Sequence, residues 1–106
     1  MREKKRYLVY EITTASSPSA TTVATSLMNA FLQYAGEHGT AIIGPVILTD
    51  SYNQKTKRGI VRVSAEGLDL AKASLVFITN IDGKTAGAQS VTVSGAIGTA
   101  KKAVAK

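Results

Sequence analysis

The chain has 106 residues, 44% of them hydrophobic, with thirteen Lys and Arg against seven Asp and Glu for a net charge of +6, and no cysteine. That length predicts one domain over 1–106 with a modest core, and the hydrophobic fraction excludes global disorder. No run approaches the ~18 apolar residues of a membrane span, and without cysteine neither a disulfide framework nor a thiolate metal site can form, which suits a cytoplasmic protein.

MREKKRYLVYEI is charged and then apolar, but its apolar part is short and holds Glu11, so it reads as a basic lead-in to a strand rather than a signal peptide. Residues 1–6 are predicted to form a basic arm. From Lys5 to Thr13, Leu8, Tyr10 and Ile12 alternate with Tyr7, Val9 and Glu11, which gives a first strand. TTASSPS is turn chemistry, with Ser17 as a helix cap and Pro18 at the first helical position. Val23, Leu27, Ala30, Phe31 and Tyr34 keep helical spacing, so a first helix is expected from Pro18 to Glu37, with Gly36 and Gly39 as stop signals.

Ile42 to Tyr52 is β-rich, and Asn53 to Thr56 makes a polar turn into a third-strand candidate, KRGIVRV. Ser64 is the expected cap of a second helix with a buried stripe of Leu68, Ala71, Leu75 and Ile78. Asp82-Gly83 signals a turn. Lys84 to Val93 follows as a poor fourth strand softened by Ala86, Gly87 and Ala88, and a short basic helix closes the chain over 95–106.

The order β-α-β-β-α-β with an added C-terminal helix is the α+β, ferredoxin-like plan: an antiparallel sheet with its two main helices on one face. The first and third strands should lie side by side at its centre. Leu8, Tyr10, Ile12, Val61 and Val63 would face the helices, leaving Tyr7, Val9, Ile60 and Arg62 on the open face. The RNA-recognition motif shares this plan and carries [K/R]-G-[F/Y]-[G/A]-F-V on its third strand. Arg58-Gly59 fits the start of that pattern, but Ile60 and Arg62 occupy the two stacking places and cannot form an aromatic platform.

Eleven of the thirteen cations fall in three segments: Arg2, Lys4, Lys5 and Arg6; Lys55, Lys57, Arg58 and Arg62; Lys101, Lys102 and Lys106. Such clustering is the electrostatic footprint of a polyanion partner. RNA, DNA and anionic lipid all remain open on this ground. Lipid is the weakest, because AIGTAKKAVAK offers only Ile97 and Val104 as apolar anchors.

Catalytic groups are scarce. His38, the single histidine, falls near the expected end of the first helix, where the helix dipole accounts for it. Asp50, Glu66, Asp69 and Asp82 fall at turns and a helix start, where caps and turn bonds account for them. There is no nucleophile–base pair, no Gly-rich phosphate loop and no metal-ligand pattern, so no catalytic or metal-binding residue is expected in the polypeptide.

EKKRYLVYEI, KRGIVRVSAEG, LVFITNIDGK and VSGAIG, in this order and spacing, resemble the ribonuclease P protein component 2 family over nearly the whole chain. The resemblance implies a protein subunit of a ribozyme that matures the 5′ end of precursor tRNA, with catalysis by the RNA and its magnesium ions and no cofactor bound by the protein. It implies as partners the ribonuclease P RNA, precursor tRNA and a TIM-barrel-like protein subunit, with a homodimer inside a heterotetramer. The RNA-facing candidates are then Arg2, Lys4, Lys5, Arg6, Lys55, Lys57, Arg58, Arg62, Lys101 and Lys102, and Tyr7, Val9 and Ile60 are candidates for the protein interface. KTAGAQSV departs from the family pattern in lacking bulky apolar and basic residues. Two other readings compete: a ligand-binding or oligomerising regulatory module on the same fold, and an RNA-packing protein of the ribosomal kind.

Overall fold

A computed structural model of the chain describes residues 4–105. The elements are β1 (Lys5–Thr14), α1 (Ala20–Ile43), β2 (Val46–Asn53), β3 (Arg58–Ser64), α2 (Leu68–Leu75), β4 (Asn80–Ile81), β5 (Lys84–Ser94) and α3 (Ile97–Ala105). All strand pairs are antiparallel, in the order β2-β3-β1-β5-β4. This is the expected ferredoxin-like α+β plan, with β1 and β3 adjacent and one short strand added at an edge.

The pairing register explains the core. Leu8 lies opposite Val61 and Arg6 opposite Val63, and opposed residues on antiparallel strands share a face. Leu8, Tyr10, Ile12, Val61 and Val63 are buried together with Val23, Leu27, Phe31, Ala71 and Leu75 of α1 and α2. Each large side chain sequestered this way contributes about 1.5–3 kcal/mol before conformational entropy is subtracted. Gly59 makes the arrangement around Tyr10 possible. A Cβ at position 59 would sit 2.4 Å from the Tyr10 hydroxyl and 2.6 Å from its Cζ, so the ring lies directly over the glycine.

Several boundaries differ from the sequence reading, each for a local reason. The cap of α1 is Ser19, not Ser17; its Oγ accepts from the Thr22 N–H at 3.2 Å. The helix does not stop at Gly36 or Gly39. Gly36 takes φ 73°, ψ 179° as a kink, and the helix resumes to Ile43, where Gly44 at φ 56° forms the left-handed cap and donates to the Thr40 carbonyl. Ile42 and Ile43 are thus helical rather than the start of β2, and Ile43 is fully buried.

Ser64 does not cap α2. Its Oγ accepts from the Gly67 N–H at 2.9 Å and donates to the Ile42 carbonyl at 2.7 Å, tying the β3–α2 turn to the end of α1. Ile78 is buried as expected but lies beyond α2, which ends at Leu75. Asp82 and Gly83 both take positive φ, 54° and 77°, as a primed two-residue turn requires, and they join β4 to β5. The small residues of β5 hid an eleven-residue strand, which pairs with β1 from Ser94 opposite Tyr7 to Ala86 opposite Thr14, with one bulge.

The largest correction concerns the second face of the sheet. Val9 and Ile60, expected on an open face, are 0% exposed. They form a second apolar cluster with Ala100 and Val104 of α3, flanked by Tyr7, Leu48 and Ala103. The chain's own last helix covers the centre of the face that an RNA-recognition motif keeps open, so Val9 and Ile60 are core residues and are not available to a partner in this conformation.

Candidate nucleic-acid interface

Alternation decides which cations reach the α3 side. Tyr7 opposes Arg62, Val9 opposes Ile60 and Glu11 opposes Arg58, and these pairs share the α3 face. The antiparallel pairing also separates the sequence clusters in space. Lys4, Lys5, Arg6 and Arg62 lie at the end of the sheet where β1 begins, whereas Lys55, Lys57 and Arg58 lie at the other end, around the β2–β3 turn. The expected basic arm is shorter than six residues: Lys5 and Arg6 belong to β1 and oppose Ser64 and Val63, while Arg2 and Lys106 lie outside the described residues.

The helix α3 runs between the two ends. Its chain enters from Ser94, opposite Tyr7, where the Ser94 Oγ accepts from the Ala96 N–H at 3.0 Å. Its last turn meets the β2–β3 turn, where Thr56 Oγ1 donates to the Val104 carbonyl at 2.9 Å and Arg58 Nη1 donates to the Ala103 carbonyl at 3.0 Å. Carbonyls of a final helical turn lack intrahelical partners and carry partial negative charge, so a hydroxyl and a guanidinium are suited to hold that end.

The cations therefore divide into two kinds. Arg58 is committed: its Nε also pairs with Glu11 Oε2 at 3.0 Å, with both side chains about a quarter exposed. That hydrogen bond, with a second from Gln89 and the nearby guanidinium charge, holds the Glu11 carboxyl below its usual range. Lys57 takes φ 58° at the end of the turn, and its Nζ donates to the Thr14 carbonyl. Arg6 donates to the Lys5 carbonyl, and the Nε of half-buried Arg62 is enclosed without a hydrogen-bond partner among the described residues. Lys4, Lys55, Lys101 and Lys102 are exposed. Lys101 borders a cleft with Asp50, Tyr52 and Gln54 at the end of β2.

Sequence reasoning thus listed Arg58 with the surface cations, although its structural duty is visible in the structure alone. It places Thr56 in the polar turn but not against α3. The one available signal was the i, i+4 pair of Ala100 and Val104, which marks a helix face that needs something apolar beneath it.

The opposite layer differs in character. The rings of Tyr34 and Phe77 meet with centroids 4.5 Å apart and planes tilted by 41°, and both are exposed beside Val76. An open cleft of about 500 Å³ between α1 and 77–82 is lined by Thr21, Thr25, Asn29, Asn80 and Asp82, in which Asp82 is the one ionisable group. Hydroxyls and amides around a single carboxylate offer no acid–base pair. Among the described residues no group of three His, Cys, Asp or Glu is placed to hold a metal ion, and no helix is long and apolar enough to cross a membrane.

Comparison with known proteins places this geometry. A model of the Rpp14/Pop5 family matches residues 6–105. Proteins named ribonuclease P protein component 2 are similar: that of Pyrococcus abyssi is 33% identical over 96% of this chain and 85% of its own length. The Methanocaldococcus jannaschii protein is 31% identical over 95% of this chain and 72% of its own. A chain in the structure of yeast ribonuclease MRP superposes with a TM-score of 0.69 at 18% identity, over 92% of this chain and 78% of that one, a likeness of fold. With the family model spanning all eight structural elements but the first residue of β1, this chain belongs to the Rpp14/Pop5 family of ribonuclease P protein subunits.

Proposed function

We propose that this protein binds the catalytic RNA of ribonuclease P and supports its maturation of precursor tRNA 5′ ends without contributing a catalytic group. The observation that carries this reading is the pairing of family membership with exposed lysines at both ends of the sheet: Lys4 at one, Lys55, Lys101 and Lys102 at the other. Cations so placed neutralise phosphate, which lets RNA segments approach each other and the substrate. Magnesium serves the RNA and not a protein site. Precursor tRNA, a TIM-barrel-like protein subunit and a second copy of the chain within a heterotetramer complete the proposed assembly, located in the cytoplasm. With Val9 and Ile60 covered, of the proposed protein-contact residues only Tyr7 retains accessible surface.

Reconstitution tests the proposal. The protein alone should leave precursor tRNA intact, and adding it to the ribonuclease P RNA and the other protein subunits should raise cleavage most at limiting magnesium. Cleavage by the purified protein without RNA, or an assembled enzyme indifferent to its presence at every magnesium concentration, would overturn the reading.

A further inference from the structure

The α3 face bears on what form of RNA it takes. Proteins that bind single strands combine a basic groove with exposed rings on which successive bases stack. Here the place for such rings is filled. Val9 and Ile60 lie under α3, and Tyr7 is packed into the same cluster. Tyr10 and Phe31 are buried on the other side of the sheet, and half-buried Tyr52 packs against that same core at the edge of the cleft beside Lys101. The exposed rings among the described residues, Tyr34 and Phe77, belong to the α1–α2 layer. What the α3 side offers instead is charge at two separated places.

The separation follows from the register. From Lys5, opposite Ser64, to Glu11, opposite Arg58, is six residue steps, about 20 Å at ~3.3 Å per step. Lys5, on the same face of β1 as Tyr7, and half-buried Arg62 mark one end; Lys55, Lys101 and Lys102 mark the other. The helix between them is pinned to the second end by Thr56 and Arg58. The outward surface of α3 carries Gly98 and Thr99 but no ring, so it can lie close to a backbone without reading a base.

We propose, resting on the RNA-binding reading above, that this face grips base-paired RNA by its phosphates at two points about 20 Å apart, and does not take unstacked single strand. A duplex holds its phosphates in a fixed relation across its grooves and is recognised by shape and backbone. Two basic ends held apart by a rigid strand pair match a target whose phosphates are equally fixed. A flexible strand would have to be ordered to meet both ends and would gain no stacking in return.

The test uses the full chain and two RNAs of generic sequence: a hairpin with a stem of about 16 base pairs, and an unstructured strand with the same number of phosphates. Affinity is measured across a salt series for the protein, for K5Q and for the triple variant K55Q/K101Q/K102Q. The stem should bind about tenfold or more tightly than the strand, and each variant should weaken stem binding and flatten its log–log salt slope by roughly 0.7–0.9 per lost contact. Equal or tighter binding of the strand would overturn the duplex preference while leaving RNA binding standing. Unchanged stem affinity in either variant would overturn the two-point grip. Binding of neither RNA at low salt would overturn the RNA-binding reading itself, and this inference with it.

Discussion

Replacing Gly59 with alanine adds one methyl group at the point of tightest approach in the core. The new Cβ would meet the Tyr10 hydroxyl at 2.4 Å, Cζ at 2.6 Å and Cε2 at 3.1 Å, distances that van der Waals contact forbids. Tyr10 is 1% exposed and packed among Leu8, Ile12 and Val61, so its ring cannot swing into solvent. Strain therefore falls on the backbone pair joining Tyr10 to Gly59 at the centre of the sheet. Overpacking of this kind costs typically 1–3 kcal/mol, or about 4–8 °C in melting temperature for each kcal/mol in a domain of this size. Urea unfolding followed by circular dichroism measures it, with the slope unchanged if only stability has moved. The double variant G59A/Y10L removes the clashing ring and separates strain from any propensity effect. Its loss should be smaller than the sum of the two single losses by about 1 kcal/mol or more, the scale of coupling between touching residues. A G59A protein within about 0.5 kcal/mol of the parent, the range of ordinary surface changes, would refute the claim that Gly59 exists to admit the ring.

Other perturbations probe the second face. V104A removes two methyl groups from the α3 contact with Val9 and Ile60 and should cost about 2 kcal/mol, with faster amide exchange concentrated in α3 and in β3 around Ile60. R58A loses both the Glu11 pair and the Ala103 carbonyl, and because these groups are partly exposed the loss should be about 1–2 kcal/mol. By contrast K55Q, at an exposed residue, should unfold as the parent does. Glu11 adds a pH dependence: its folded pKa is lowered, so its contribution is fully present above the ordinary carboxylate value of about 4.5 and is lost as pH falls through the folded value. Urea titrations between pH 5 and 2 should show this acid limb in the parent and a shallower one in R58A, where only the Gln89 bond remains; identical limbs would show that Arg58 does not set the shift.

The parts of the fold legible in the sequence were those governed by alternation. The Leu8-Tyr10-Ile12 and Val61-Val63 sets identified the core face and the central pairing, because period two leaves a strand with one buried face little choice of register. Helix ends were less legible, since they depend on which of several adequate residues finds a partner. Ser17 and Ser19 are equally good caps on paper, and only the course of the backbone puts Ser19 beneath the Thr22 N–H. Gly36 reads as a stop, yet the chain spends it on a kink because Ile43 has a buried place to reach. The site was legible as charge and illegible as geometry. KRGIVRV announces three cations, but not that Arg58 fastens the last turn of α3, nor that Gly59 serves Tyr10. Long-range contacts such as Thr56 to Val104 carry no local signature.

The central claim, that this chain is an RNA-binding subunit acting through phosphate neutralisation, is tested most directly by equilibrium binding of the purified protein to ribonuclease P RNA across a salt series. Contact through the lysines exposed at the two ends of the sheet, with Lys101 and Lys102 on α3, predicts a linear fall of log affinity with log salt, with a slope of roughly −3 if four phosphates are neutralised at 0.7–0.9 each, and a shallower slope in K55Q/K101Q/K102Q. Affinity that does not change with salt, or a slope that the triple variant leaves untouched, would contradict it.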